Sequence, residues 1–514
     1  MEKNNSKIYF LEIVRNTLIK DNYDRNYINI ILIFILSRII YIFFFNITFD
    51  SWTIESYWQF MPLDLIKYDL FNSLTYNFAQ PPLLNLMLGL LVKFSANFEF
   101  YLQLIYLAAG LASFLFFYKI LSKIKINKTI SFVLTSILMV LPTTILYENH
   151  FYKDYLTMCF LILCLNFSID VFSRGKTLDY IYFSIFLVLL ALLRETFHIF
   201  WIYLFLAFEY LTNKKIKKTL IIFVIINIFV LPFYLKNYFL FNHFGIAIMY
   251  ENLSQKVQYI RDMKFEKNKK LKKIIFKDDK EYQKLTNSLS ILFERGLFLK
   301  PEEYKEITNY KYRYNNKLLS SNTFFNEVHL KIDEIRKNDI KIILSNYPQV
   351  FLFSVANSAI RHFFRSSDHF YFVKINSQKI PKLIKLTDCL KLTLNCFYNF
   401  NFEMESVFTN NIEWKKPIYE KLSFKEKWLF SLQDTNFTIV IIYLLFLFYF
   451  CISLKNKNKT NIQKLMIFWS TTFIFIFLIL SIFEDGEIRR HRFPFDYIVL
   501  LFLLFFNKLK KTIT

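Results

Sequence analysis

From Tyr27 to Phe49 the chain is almost wholly apolar, and the run is long enough to cross a bilayer core of about 30 Å. Comparable runs recur at about 98–118, 129–147, 153–172, 178–193, 196–212, 219–237, 435–453, 464–483 and 494–507. Inside lipid a backbone must satisfy its own hydrogen bonds, which leaves helices and closed barrels. Runs this long exclude barrel strands. The sequence therefore predicts an all-α polytopic membrane protein with about ten transmembrane helices.

Lysine and arginine concentrate in short cytoplasmic loops, so their distribution tests this reading. Lys119, Lys123, Lys125 and Lys128 share one loop, Arg174 and Lys176 the next, and Lys214, Lys215, Lys217 and Lys218 a third. Lys455, Lys457, Lys459 and Lys464 follow, and the tail carries Lys508, Lys510 and Lys511. All fall on one side if both termini are cytoplasmic. Residues 1–26 then form a cytoplasmic amphipathic tail; they lack a small-residue cleavage site, so the first span is an uncleaved signal-anchor. Residues 27–237 make a first transmembrane module, with an outer loop at 49–97 that holds amphipathic helices. Residues 238–434 form a large, mainly helical outer region, and 435–514 a C-terminal module of three spans. The apolar segment 82–95 is too short to cross alone, and 346–365 is open between lying on the membrane and entering it.

A net charge of +23 would suggest nucleic acid for a soluble chain; here the loops that orient the spans account for much of it, and no nucleic-acid partner is expected. With 6 glycines in 514 residues there is no glycine-rich phosphate loop, because close approach of backbone to phosphate needs glycine. Asp-x-Asp is also missing, so nucleotide chemistry is disfavoured. Five cysteines without a CxxC pair indicate no thiolate metal site, and pairing of Cys389 with Cys396 is open.

Acids at a bilayer edge are costly unless solvated or used. Asp50 follows the first span, Asp64 lies in the outer loop, and Glu148 ends the third span. Each alone reads as a solvated flanking charge; together they offer the carboxylate that sugar transfer to a hydroxyl requires as a base. Arg489, Arg490 and Arg492, in the outer turn 484–493, break the positive-inside pattern and could hold a phosphate by paired hydrogen bonds. Arg194 and Glu195 sit between two apolar runs, read either as a local ion pair or as substrate contacts. The histidines, among them His150 and His491, are scattered and build no metal site by spacing.

These residues, in their order relative to the spans, resemble the integral membrane glycosyltransferases of the GT-C class, the group that includes protein O-mannosyltransferases and lipid A aminoarabinose transferases. The resemblance rests on Asp50, on Gln80-Pro81-Pro82-Leu83 (similar to the family's His-Pro-Pro-Leu, with Gln80 for the His), on Tyr147-Glu148-Asn149, on Arg194-Glu195 and on Arg489 to Pro494. It covers about the first 240 residues, with weaker support from the last 80. It implies a hexosyl- or pentosyltransferase, inverting, that takes sugar from a polyprenyl-phosphate-linked donor. The acceptor would be a lipid, glycan or protein at the outer face of a bacterial inner membrane. Asp50 would be the base, with Glu148 placing acceptor or metal and Asp64 a further acid; the need for a divalent cation is left open. Two other classes compete. An O-antigen-type polymerase or ligase lacks the acid-bearing loop after the first span. A polysaccharide transporter or flippase would show repeats and glycine-broken helices.

Overall fold

The computed structural model describes residues 25–245 apart from 57–59, 62 and 78–79, scattered positions between 253 and 384 (chiefly 348–361 and 374–384), and 437–513 apart from 456–458 and 484–487. The expected amphipathic tail before Arg25, most of the expected outer region, and both Cys389 and Cys396 lie outside the described residues.

Helix dominates. α1 (Arg25–Phe43) buries Ile30, Phe34, Ser37, Arg38 and Tyr41 at helical spacing and exposes Ile28, Leu32, Ile35, Leu36 and Ile39 on the opposite side. An outward face of large apolar side chains suits lipid rather than water. α2 (Leu63–Tyr68), α3 (Leu70–Tyr76) and α4 (Leu83–Phe94) fill the expected first outer loop. Then come α5 (Phe98–Lys123), α6 (Lys128–Val140), α7 (Pro142–Glu148), α8 (Lys153–Ser173), α9 (Thr177–Leu193), α10 (Ile199–Asn213), α11 (Ile216–Phe229) and α12 (Leu231–Phe241). Beyond lie α13 (Pro348–Arg361), α14 (Lys374–Ser377), α15 (Phe437–Lys455), α16 (Asn461–Phe483) and α17 (Ile488–Ile513). One two-residue antiparallel pair joins Arg313–Tyr314 to Lys317–Leu318.

Among the described residues six helices are long and apolar enough to cross a membrane, α11 and α12 counting together as one (Ile216–Phe241), or seven if the bent pair α6 and α7 is also one span, so this is a multi-pass helical membrane protein. Two expected spans are short: α9 has 17 residues and α10 has 15. α13, at 14 residues, is about 21 Å long at 1.5 Å per residue, less than a bilayer core, and packs beside α16 and α17. The turn expected at 484–493 is in part helix. α17 starts at Ile488, so Arg489, Arg490 and Arg492 stand on its first turns, where Arg492 Nε donates to Asp496 Oδ2 one turn on (3.1 Å).

The expected third span breaks at Leu141, and α6 and α7 meet at 56°. Pro142 causes this: it has no N–H to continue the ladder, and its ring drives Leu141 to extended geometry (φ −56°, ψ 134°). The carbonyls freed at the break all find donors. Thr144 Oγ1 donates to Leu138 O (2.7 Å), Arg38 Nη1 to Met139 O (3.2 Å) and Tyr41 OH to Val140 O (3.2 Å). A break buried in a bundle is tolerated on that condition.

α8 is buried nearly all round and packs against α5, α7, α9, α16 and α17. Indole donors tie the C-terminal helices to the first module: Trp469 Nε1 to Ser168 Oγ (3.2 Å) and Trp201 Nε1 to Thr472 Oγ1 (3.0 Å). Polar groups gather at the two ends of the bundle. At one, Lys123 Nζ donates to Asp170 Oδ2 (2.7 Å), Arg174 pairs with Asp170 and Asp179, and Lys218 donates to Gly175 O. At the other lies Asp50.

Candidate active site

Beyond α7 the chain runs through Asn149, His150 and Phe151 before α8 begins. Asp50 pairs with this stretch along its backbone: Asp50 N donates to Asn149 O (2.8 Å) and Phe151 N to Asp50 O (2.8 Å). Tyr106 OH donates to Tyr152 O (2.6 Å), and Thr53 Oγ1 to Phe151 O (2.7 Å), which fixes the stretch against α5 and the outer loop. Asp50 is 6% exposed, with its carboxylate Oδ1 accepting from Trp52 N at 3.2 Å. Its Oδ2 accepts no hydrogen bond from the described residues and lies 3.4 Å from His150 Nδ1.

Adjacent is a crossed set of ion pairs between the start of α8 and the end of α9. Arg194 Nη1 donates to Asp154 Oδ1 (3.0 Å), and Lys153 Nζ to Glu195 Oε1 (3.0 Å). Asp154 in the first turn of α8 and Arg194 at the C-cap of α9 each complement their helix dipole. Lys153 opposes its own helix end, and Glu195 compensates it. Burial raises the Glu195 carboxyl, but Lys153 and Arg194 outweigh it and hold the group below its ordinary value of 4.5. Of the two sequence readings, a local ion pair or substrate contacts, the ion pairs described for Arg194 and Glu195 reach instead to α8. Arg194 is fully buried and also meets His491 Nδ1, while its Nε donates to no acceptor among the described residues. Tyr147 stacks on Phe493 of α17, ring centroids 4.0 Å apart and planes within 7°.

Glu148 is not solvated. It is 1% exposed and clamped by Arg38, Nε to Oε1 at 2.8 Å and Nη2 to Oε2 at 2.7 Å, with Tyr155 OH donating to Oε2 at 2.5 Å. The Arg38 guanidinium lies 3.7 Å above the Phe34 ring and also donates to Ser37 Oγ (2.9 Å). Gly110 of α5 lets this cluster close, since a Cβ there would stand 2.2 Å from Tyr155 Oη and 2.7 Å from Glu148 Oε2. Both carboxylate oxygens are thereby engaged within the bundle.

Of the residues singled out by sequence, Asp50, Tyr147, Arg194, Glu195 and Arg492 join contacts around the α7–α8 connection and the ends of α9 and α17. Gln80, Pro81 and Pro82 are buried at the head of α4, which packs against α2, α5 and α9. Asp64 lies on α2, and Arg489 and Arg490 on α17; their side chains lie outside the described residues. Arg38, Lys153 and Asp154 escaped the sequence reading, and His150 and His491 were named there without a role. An arginine inside an apolar run was the available signal for Arg38, and charges at the head of a span were the signal for Lys153 and Asp154. Among the described residues no group of three or more His, Cys, Asp and Glu side chains gathers as a metal site. No protein-family model, curated protein or solved structure matches the chain.

Proposed function

We propose that this protein is a membrane glycosyltransferase that moves a sugar from a polyprenyl-phosphate-linked donor to a lipid, glycan or protein hydroxyl at the outer face of a bacterial inner membrane. The observation that carries this reading is Asp50: a buried carboxylate on the segment that follows the first membrane helix, fixed by its own main chain, with Oδ2 accepting no hydrogen bond from the described residues. A base needs that combination of fixed position and an available lone pair. Arg194, His491 and Arg492 add cationic or ionisable groups around the α8–α9 and α17 ends. In a single inverting displacement, the acceptor hydroxyl gives its proton to Asp50 and its oxygen bonds the anomeric carbon. The bond from that carbon to the phosphate oxygen breaks, and its electron pair leaves with the polyprenyl phosphate. Arg489, Arg490 and Arg492 steady that charge.

The ten-span topology with both termini cytoplasmic belongs to the same proposal. It is supported by contacts that gather the loops around Lys123, Arg174 and Lys218 at one end of the bundle. Purified protein in detergent is expected to consume a polyprenyl-phosphate sugar and to ignore the matching nucleotide sugar. Turnover with the nucleotide sugar alone would overturn the reading.

A further inference from the structure

Asp50 is held on one side by Asn149 and Phe151. The residue two places before it is held by a side chain from a distant part of the chain. Asn376 Oδ1 accepts from Thr48 N (3.2 Å) and its Nδ2 donates to Thr48 O (2.7 Å), across 328 residues. A carboxamide is a peptide group in miniature, so Asn376 supplies at Thr48 the pairing that Asn149 and Phe151 supply at Asp50. Lys379 reinforces the contact, its Nζ donating to Asn46 O (2.8 Å), Thr48 Oγ1 (3.1 Å) and Asn376 Oδ1 (3.3 Å). The chain turns out of α1 at Asn46 in the left-handed region (φ 52°), a conformation that asparagine accepts better than most residues. Asn376 is 2% exposed, and Ile380 and Ile384, at 2% and 8%, anchor the same short segment in the apolar core.

We infer that Asn376 is a positioning residue for Asp50, and that residues 374–384 complete the active site from within the long region after α12. The inference rests on Asp50 being the base. With its carbonyl and its NH₂ both engaged by the main chain of Thr48, Asn376 fixes the chain two residues before the carboxylate, on a segment whose further pairing begins at Asp50 itself. Removing it lets the 46–50 segment shift. A base is sensitive to such shifts, since a displacement of about 1 Å can cost about 10²-fold in rate.

The test uses the full-length protein. Asn376→Leu keeps the side-chain volume and removes both hydrogen bonds; kcat is expected to fall about 10–100-fold while the donor KM stays within about twofold. Amide exchange in a peptide covering residues 46–50 is expected to quicken. Asn376→Asp, which keeps the acceptor for Thr48 N–H and loses the donor, is expected to fall between, and it serves if the leucine variant does not fold. Wild-type transfer with an unchanged kcat in the variant that folds would overturn the role of Asn376 alone. So would a raised KM at constant kcat, because that marks a substrate contact. A wild-type protein without transfer would overturn the glycosyltransferase reading, and this role with it.

Discussion

Glu148 and Asp50 are both buried carboxylates, Glu148 at the end of α7 and Asp50 on the segment after α1, yet their surroundings differ. Arg38 and Tyr155 engage both oxygens of Glu148, so Glu148→Gln is expected to act on stability rather than on acceptor affinity. Breaking one partner of a buried pair leaves the other charge uncompensated, at a cost of about 3–5 kcal/mol. Thermal unfolding in detergent should show Glu148→Gln well below wild type, and Arg38→Met combined with Glu148→Gln milder than the sum of the single changes. Additive losses would show that the pair is not coupled. Glu195 provides a titration. Its folded pKa is depressed by Lys153 and Arg194, so its contribution is present above the unfolded value near 4.5 and is lost as pH falls through the folded value. Acid unfolding below that pH is expected to flatten in Glu195→Gln; an unchanged profile would contradict the pairing. Asp50 and Arg194 stood out in sequence as charges at the ends of apolar runs. Their partners His150, Asp154 and His491 did not, because ion-pair choice depends on how helix ends meet in space.

At the scale of elements, composition announced the long apolar helices found among the described residues, since a run of apolar residues admits little else. What it could not announce was the break between α6 and α7 as a working feature. Pro142 was visible, but the three donors that make its freed carbonyls tolerable come from Thr144, Arg38 and Tyr41, two of them on another helix. Likewise the tertiary fit at Gly110 is a property of α5 against α8, not of any local pattern. Gly110→Ala is expected to displace Tyr155 and Glu148 and to lower the unfolding midpoint, although alanine favours the helix by about 1 kcal/mol. A stabilised variant would mean the close approach is not real. The extent of α17 was misjudged because Arg489 to Arg492 look like a polar turn, whereas the Arg492–Asp496 contact one turn apart supports helix there.

For the whole molecule, the described residues form a bundle around α8 in which the helices up to residue 245 and the C-terminal helices share one apolar core. Reporter fusions after Lys128, Lys218 and Lys459 are expected to read cytoplasmic, and those after Tyr76 and Asn401 exterior; a cytoplasmic signal at Asn401 would break the ten-span arrangement. The central claim is that Asp50 takes a proton from the acceptor in sugar transfer. Asp50→Asn keeps the size and the main-chain pairing but removes the basic carboxylate. In properly inserted protein supplied with a polyprenyl-phosphate sugar, transfer is expected to fall by about 10²–10⁴ with donor binding preserved. Near-normal turnover in Asp50→Asn would contradict the account.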